Sequence, residues 1–200
     1  MAKDDIYVSV DIEADGPIPG PHSMLSIGAA AFRPGERRPL ATFEINLAPL
    51  PGSSPDPDTL AWWAKQDPSV WLHSTQNPVE PGIAMHQFRD WVRGLGGTPV
   101  LVVYPTWDAM WTTWYFTRFC GPHSDPFGIG GLDLKSMSFG MFPEFERFKD
   151  VTKRALSAEL FEGCPPHTHK ALDDAIGQGV WFVNLLARRS GLTLPKNPLK

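Results

Sequence analysis

The stretch YVSVDIEADGP, residues 7 to 17, constrains this chain more than any other segment. Tyr7, Val8 and Val10 favour extended backbone, and an apolar run of this kind suits a strand inside a buried sheet. The run ends on Asp11 and Glu13, with the turn pair Asp15-Gly16 just beyond. Residues two apart on a strand point to the same face, so the two carboxylates project side by side. Like charges that close repel, and something must hold them together.

The rest of the chain builds a sheet around that strand. SMLSIGAAAF (23–32) reads as a second strand and LATFEINLA (40–48) as a third, with Arg33-Pro34-Gly35 as the turn between them. Residues 49–58 are loop by composition, and a short helix carrying Leu60, Trp62 and Trp63 begins near Asp58 or Thr59. In 81–97, Ala84, Phe88, Trp91, Val92 and Leu95 fall at helical spacing, and Gly96-Gly97 stop the helix. PVLVVYP (99–105) is an unbroken apolar strand, followed by an aromatic-rich helix over 106–120. A short strand in 131–137 leads into a helical stretch. The last helix, 170–191, places Leu172, Ala175, Ile176, Gly179, Val183 and Leu186 on one stripe. No repeat or internal boundary interrupts the pattern, so a single domain over 1–200 is expected. Its order, βββαα then βα then βα, predicts an α/β fold in which a three-stranded antiparallel meander is extended by parallel strands.

A chain of 200 residues at 42% hydrophobic can bury a sizeable core, and its net charge of −4 supplies no basic field for nucleic acid. An anionic partner must therefore be captured locally, for instance by a bound cation. Cys120 and Cys164 match no zinc spacing and read as reduced thiols of a cytosolic protein. The opening MAKDDIYVSV has acids where a signal peptide needs apolar residues, and no run approaches membrane-spanning length. A soluble cytoplasmic protein with no membrane partner is expected.

Acids recur at two further places: Asp108 early in the helix after the fourth strand, and Asp173-Asp174 preceded by His167 and His169. Sites in α/β sheets form beyond the carboxyl ends of strands, where strands 1 and 4 deliver their acids. An oxygen-rich cluster of this kind suits magnesium or manganese, and two such ions can clamp the attacking and leaving oxygens of a phosphodiester. Neither Asp173 nor Asp174 lies on the apolar stripe, so the helical wheel does not choose between them.

These residues resemble the DEDDh 3′–5′ exonucleases of the DnaQ-like, ribonuclease H-like superfamily. VSVDIEADG supplies the strand ending in D-x-E, VLVVYPTWDAMW the strand followed by an acid, and HKALDDA the H-x-x-x-x-D motif with His169 and Asp174. Tyr104-Pro105 stands where many members carry His-Asn. TLAWWAKQDP with HTHKALDDAIGQG is similar to a compact bacterial or phage-type exoribonuclease branch.

The resemblance implies a ribonuclease H-like fold with a central mixed five-stranded sheet flanked by helices. It also implies that Asp11, Glu13, Asp108 and Asp174 hold two Mg2+ or Mn2+ ions, with His169 and Glu13 as the catalytic pair and His169 the general base. Asp173 and His167 stand as rivals for the third-motif roles. Substrates would be 3′ ends of single-stranded or short RNA or DNA, RNA ahead of DNA, and a homodimer is a family-level expectation. Met24 and Leu25 are placed to wedge against the terminal base, and Trp62, Trp63 and Trp107 to stack on bases. Arg33, Arg37, Arg38, Lys149, Lys153 and Arg154 read as solvated charge, with phosphate contact the alternative. Competing functions are a non-catalytic nucleic-acid-binding module of the same fold and a small-nucleotide phosphodiesterase.

Overall fold

The computed structural model describes residues 4–128, 130–192 and 194. Five strands, β1 (Asp5–Ala14), β2 (Met24–Phe32), β3 (Ala41–Asn46), β4 (Thr98–Val103) and β5 (Gly131–Asp133), form one sheet in the order β3-β2-β1-β4-β5. β3, β2 and β1 pair antiparallel, whereas β1–β4 and β4–β5 are parallel. This is the expected meander extended by parallel strands, in a mixed sheet flanked by helices.

The helices are α1 (Pro57–Trp63), α2 (Pro68–Thr75), α3 (Pro81–Gly94), α4 (Thr106–Cys120), α5 (Leu134–Met141) and α6 (Ala171–Arg189). The first three start alike, with an acid accepting from a first-turn N–H (Asp56, Asp67, Glu80) and proline at the first helical position. Proline lacks the N–H that this position leaves unbonded, and its fixed φ suits the helix. Asp67-Pro68 therefore announces α2, a helix the apolar periodicity does not reveal. β4 ends at Val103, short of the expected 105, as the chain turns through Tyr104-Pro105 into α4.

The alternation of β1 divides the core. Ile6, Val8, Val10 and Ile12 pack against Phe88 and Val92 of α3 and against Trp111, Tyr115 and Phe116 of α4. The other face meets α6, where Tyr7 lies 4.7 Å from the Phe182 ring, and Val102 packs with Trp181, Phe182 and Leu185. Asp11 and Glu13 share the side of Tyr7, so β1 aims both at α6. That helix is buried around most of its circumference, with Trp181, Phe182 and Leu185 inside and Leu172, Ile176 and Leu186 only half-buried. The single stripe expected from the sequence is too narrow because α6 is enclosed by β2, by the short turns near Leu160 and by α5.

Two glycines set the height of α6 above the sheet. Gly28, opposite Asp11 on β2, would place a Cβ 2.2 Å from the backbone of Ala171 and Leu172. Gly179 would place one 2.0 Å from the Phe32 ring. Gly28→Ala must lift the first turn of α6, since backbone cannot turn aside as a flexible side chain can. The expected cost is at the upper end of the ~1–3 kcal/mol range for overpacking, read by thermal melting, together with a loss of activity.

Candidate active site

The carboxyl ends of β1 and β4 and the first turn of α6 enclose a cleft of about 570 Å3. Asp11, Glu13, Asp108 and Asp174 line it together with His167 and His169. Carboxylate oxygens of Asp11, Glu13 and Asp174 lie within 4.8 Å of one another. Asp108, only 2% exposed, keeps Oδ2 buried with no hydrogen-bond partner among the described residues. Burial raises the pKa of Asp11, Glu13 and Asp108, and the acids' mutual repulsion raises each further. For Asp108 the larger of these repulsions comes from Asp133, which caps α5 by accepting from the Ser136 N–H. An all-oxygen donor set with an orphaned carboxylate oxygen fits a hard divalent cation.

Tertiary structure separates the adjacent aspartates that the wheel left open. Asp174 is 6% exposed and faces the cluster, whereas Asp173 accepts from the Thr168 hydroxyl at 2.9 Å, outside it. Asp174 also anchors the preceding loop: its oxygens accept from the N–H groups of Thr168 (3.1 Å) and His169 (3.0 Å), and Oδ2 pairs with His167 Nδ1 at 2.6 Å. His169 adopts a left-handed backbone, φ +57°, under that restraint. The His167 and His169 rings lie 4.2 Å apart, so both candidate histidines belong to the site. Burial and the neighbouring His167 lower the pKa of His169, partly offset by Asp174.

The expected base-stacking residues divide. Trp107 lines the cleft and donates from Nε1 to the Pro17 carbonyl at 2.7 Å. Trp62 is 40% exposed and meets the His169 ring edge-on, with centroids 5.0 Å apart. Met24, Leu25 and Trp63 do not reach the cleft. Met24 is 0% exposed in the α3/α4 core, while Leu25 and Trp63 pack with Val70. β2 is covered on both faces, which leaves no open side from which to present a wedge. Trp63 instead donates to the Ala14 carbonyl, supporting the exit of β1.

The cations divide as well. Lys153 lines the cleft with its ammonium 5.1 Å from the Tyr104 ring centroid, whereas Lys149 and Arg154 lie outside it. Arg37 is a clamp, donating to Asn184 Oδ1 and pairing with Glu162. Gln178, which the sequence reading passed over, donates to Asp11 Oδ1 at 2.6 Å. Its one signal was position, a helical turn after Asp174. Cys120 and Cys164 are free, and burial pushes the Cys164 thiol up to about 11. Among the described residues no helix is long and apolar enough to cross a membrane.

The chain is similar to known nucleases in sequence and in fold. Residues 7–186 match the 3′–5′ exoribonuclease Rv2179c-like domain. The curated 3′–5′ DNA exonuclease Cap18 of Escherichia coli is 35% identical over 186 residues, covering 89% of this chain and 90% of the relative. The nuclease domain of 3′hExo, a DEDDh family member solved bound to rAMP, superposes with a TM-score of 0.67 at 14% identity over 96% of each chain. S. pombe Pop2p in its Mg2+- and Mn2+-bound form gives a TM-score of 0.62 at 14% identity, over 94% of this chain and 86% of that one. These two structural likenesses speak for the fold. The chain belongs to the 3′–5′ exoribonuclease Rv2179c-like family and is a 3′–5′ exonuclease, on a fold it shares with a DEDDh family member.

Proposed function

We propose that the cleft hydrolyses phosphodiester bonds at the 3′ ends of single-stranded or short nucleic acid. Asp11, Glu13, Asp108 and Asp174 hold two divalent cations, magnesium or manganese, and His169 is the general base. The observation that carries this reading is the convergence of Asp11, Glu13 and Asp174 oxygens within 4.8 Å, with His169 in the same cleft. When bound, two cations lower the pKa of an attacking water and stabilise the departing 3′ oxygen. Every other role falls to side chains of this chain.

His169, its pKa held below the ordinary value, is neutral near neutral pH and free to accept the proton of the attacking water. His167 holds Asp174, which serves as ligand and as anchor of the loop carrying the base. Trp107 and Trp62 offer rings at the cleft for the terminal bases. Lys153 is the sole Lys or Arg lining the cleft and has no carboxylate within ion-pair distance, both among the described residues, which leaves it for a substrate phosphate. The net charge of −4 suits short single strands, because long duplexes are held through many phosphate contacts.

RNA ahead of DNA is part of the proposal. The family model is described as an exoribonuclease, whereas the E. coli relative is named a DNA exonuclease, so DNA is the competing arm. A homodimer and a cytoplasmic setting enter on resemblance and composition alone. The deciding experiment is a time course on 5′-labelled RNA and DNA oligomers of graded length, in magnesium and in EDTA. Stepwise shortening from the 3′ end in magnesium and none in EDTA is expected. Binding without shortening would indicate a non-catalytic module, and turnover of dinucleotides alone a small-nucleotide phosphodiesterase.

Three outcomes follow at residue level. His169→Ala lowers turnover by roughly 10²–10⁴-fold, while His167→Ala acts through Asp174 and costs about 10–100-fold, with weaker metal binding. Lys153→Ala raises KM with kcat near wild type and reduces the salt slope of KM by about one, and Lys153→Arg restores both. The third concerns stability without divalent ions. The folded state binds extra protons at Asp11, Glu13 and Asp108, so stability falls as pH rises from the ordinary carboxylate range through their raised values. The lowered pKa of His169 acts in the opposite sense, but it is one half-buried group against three buried acids. In EDTA the Tm should therefore decline as pH rises above the ordinary carboxylate range, and saturating Mn2+ should flatten that decline.

A further inference from the structure

Gln178 is 5% exposed, lines the cleft, and sits on α6 one turn beyond Asp174. Its Nε2 donates to Asp11 Oδ1 at 2.6 Å, while its Oε1 is buried with no hydrogen-bond partner among the described residues. The nitrogen is the end that faces Asp11 in the ionised form a cation requires, since two acceptor oxygens at that distance repel. One oxygen of Asp11 is thus tied, and the other is left for a cation. The neighbouring acids would otherwise push this carboxylate away from the cluster, because Glu13 and Asp174 crowd it within 4.8 Å. The untied Oε1 is a buried acceptor, a costly group to leave unmatched. A water on a cation held by Asp11 is a donor able to match it.

We infer that Gln178 is a positioning residue that fixes Asp11 so that Oδ2 alone is offered to a divalent cation, and that Gln178 Oε1 accepts a hydrogen bond from water on that cation. The inference rests on the metal-dependent reading above and adds to it a second layer of control over metal affinity. Partners that orient metal ligands typically change affinity or activity by about 10–100-fold.

The test compares wild type with Gln178→Met, which keeps length and volume but neither donates nor accepts through an amide. Mn2+ binding is measured by calorimetry without substrate, and Tm is recorded in EDTA and in Mn2+. The variant should melt near wild type in EDTA, bind Mn2+ about 10–100-fold more weakly, and regain most of its turnover at saturating Mn2+. If Gln178→Met does not fold, Gln178→Asn, one methylene too short to span the same gap, should show the same loss. An unchanged Mn2+ affinity in a folded variant overturns the inference. So does a lower Tm in EDTA with the wild-type Mn2+ increment intact, which would make Gln178 structural only. Wild type that neither binds Mn2+ nor cleaves would instead fail the proposed function, and this inference with it.

Discussion

At Gly28 the backbones of β2 and α6 meet with no side chain between them. This contact brings Asp174 and Gln178 level with Asp11, which pairs with Gly28 across the sheet. Charge alone would drive the carboxylates of Asp11, Glu13 and Asp174 apart. Packing on both faces prevents it, with Tyr115, Phe116 and Phe88 behind β1 and Phe182, Trp181 and Leu185 fastening α6 in front. The site is a place where hydrophobic burial elsewhere in the molecule holds an electrostatic conflict in position, as expected of groups whose pKa values are pushed from their ordinary range.

Much of this was legible in the sequence because the informative signals were local. The period-two pattern of β1 delivered Asp11 and Glu13 to one face, and the succession of apolar runs gave the sheet its mixed topology. H-x-x-x-x-D matched His169 with Asp174 only through resemblance, since on the wheel Asp173 was an equal candidate. In three dimensions the two part: Asp173 accepts from the Thr168 hydroxyl, while Asp174 lines the cleft.

The misreadings share a physical cause. α2 shows little apolar periodicity and is marked by its cap, Asp67-Pro68, rather than by a buried stripe. Met24 and Leu25 were expected at the substrate because they begin a strand beside the acids, yet both faces of β2 are covered, so its first residues are core. Gln178 carries no charge, and a neutral amide in a helix gives no signal until the strand it contacts, 167 positions away, is in place. Residues whose roles depend on contacts distant in sequence are those a linear reading loses.

Asp174 both faces the acid cluster and receives the N–H groups of Thr168 and His169. Its carboxylate is therefore the hydrogen-bond acceptor that helps to hold a non-glycine residue, His169, in a left-handed conformation that L-residues adopt at some cost. On the proposed assignment of Asp174 as ligand and His169 as base, the two are not independent parts. In a thermodynamic cycle they should couple strongly, because losing Asp174 also releases the loop that holds His169 in place. Among descendants of such a chain, erosion at position 174 would abolish both functions in one step, so drift away from catalysis would be abrupt rather than gradual.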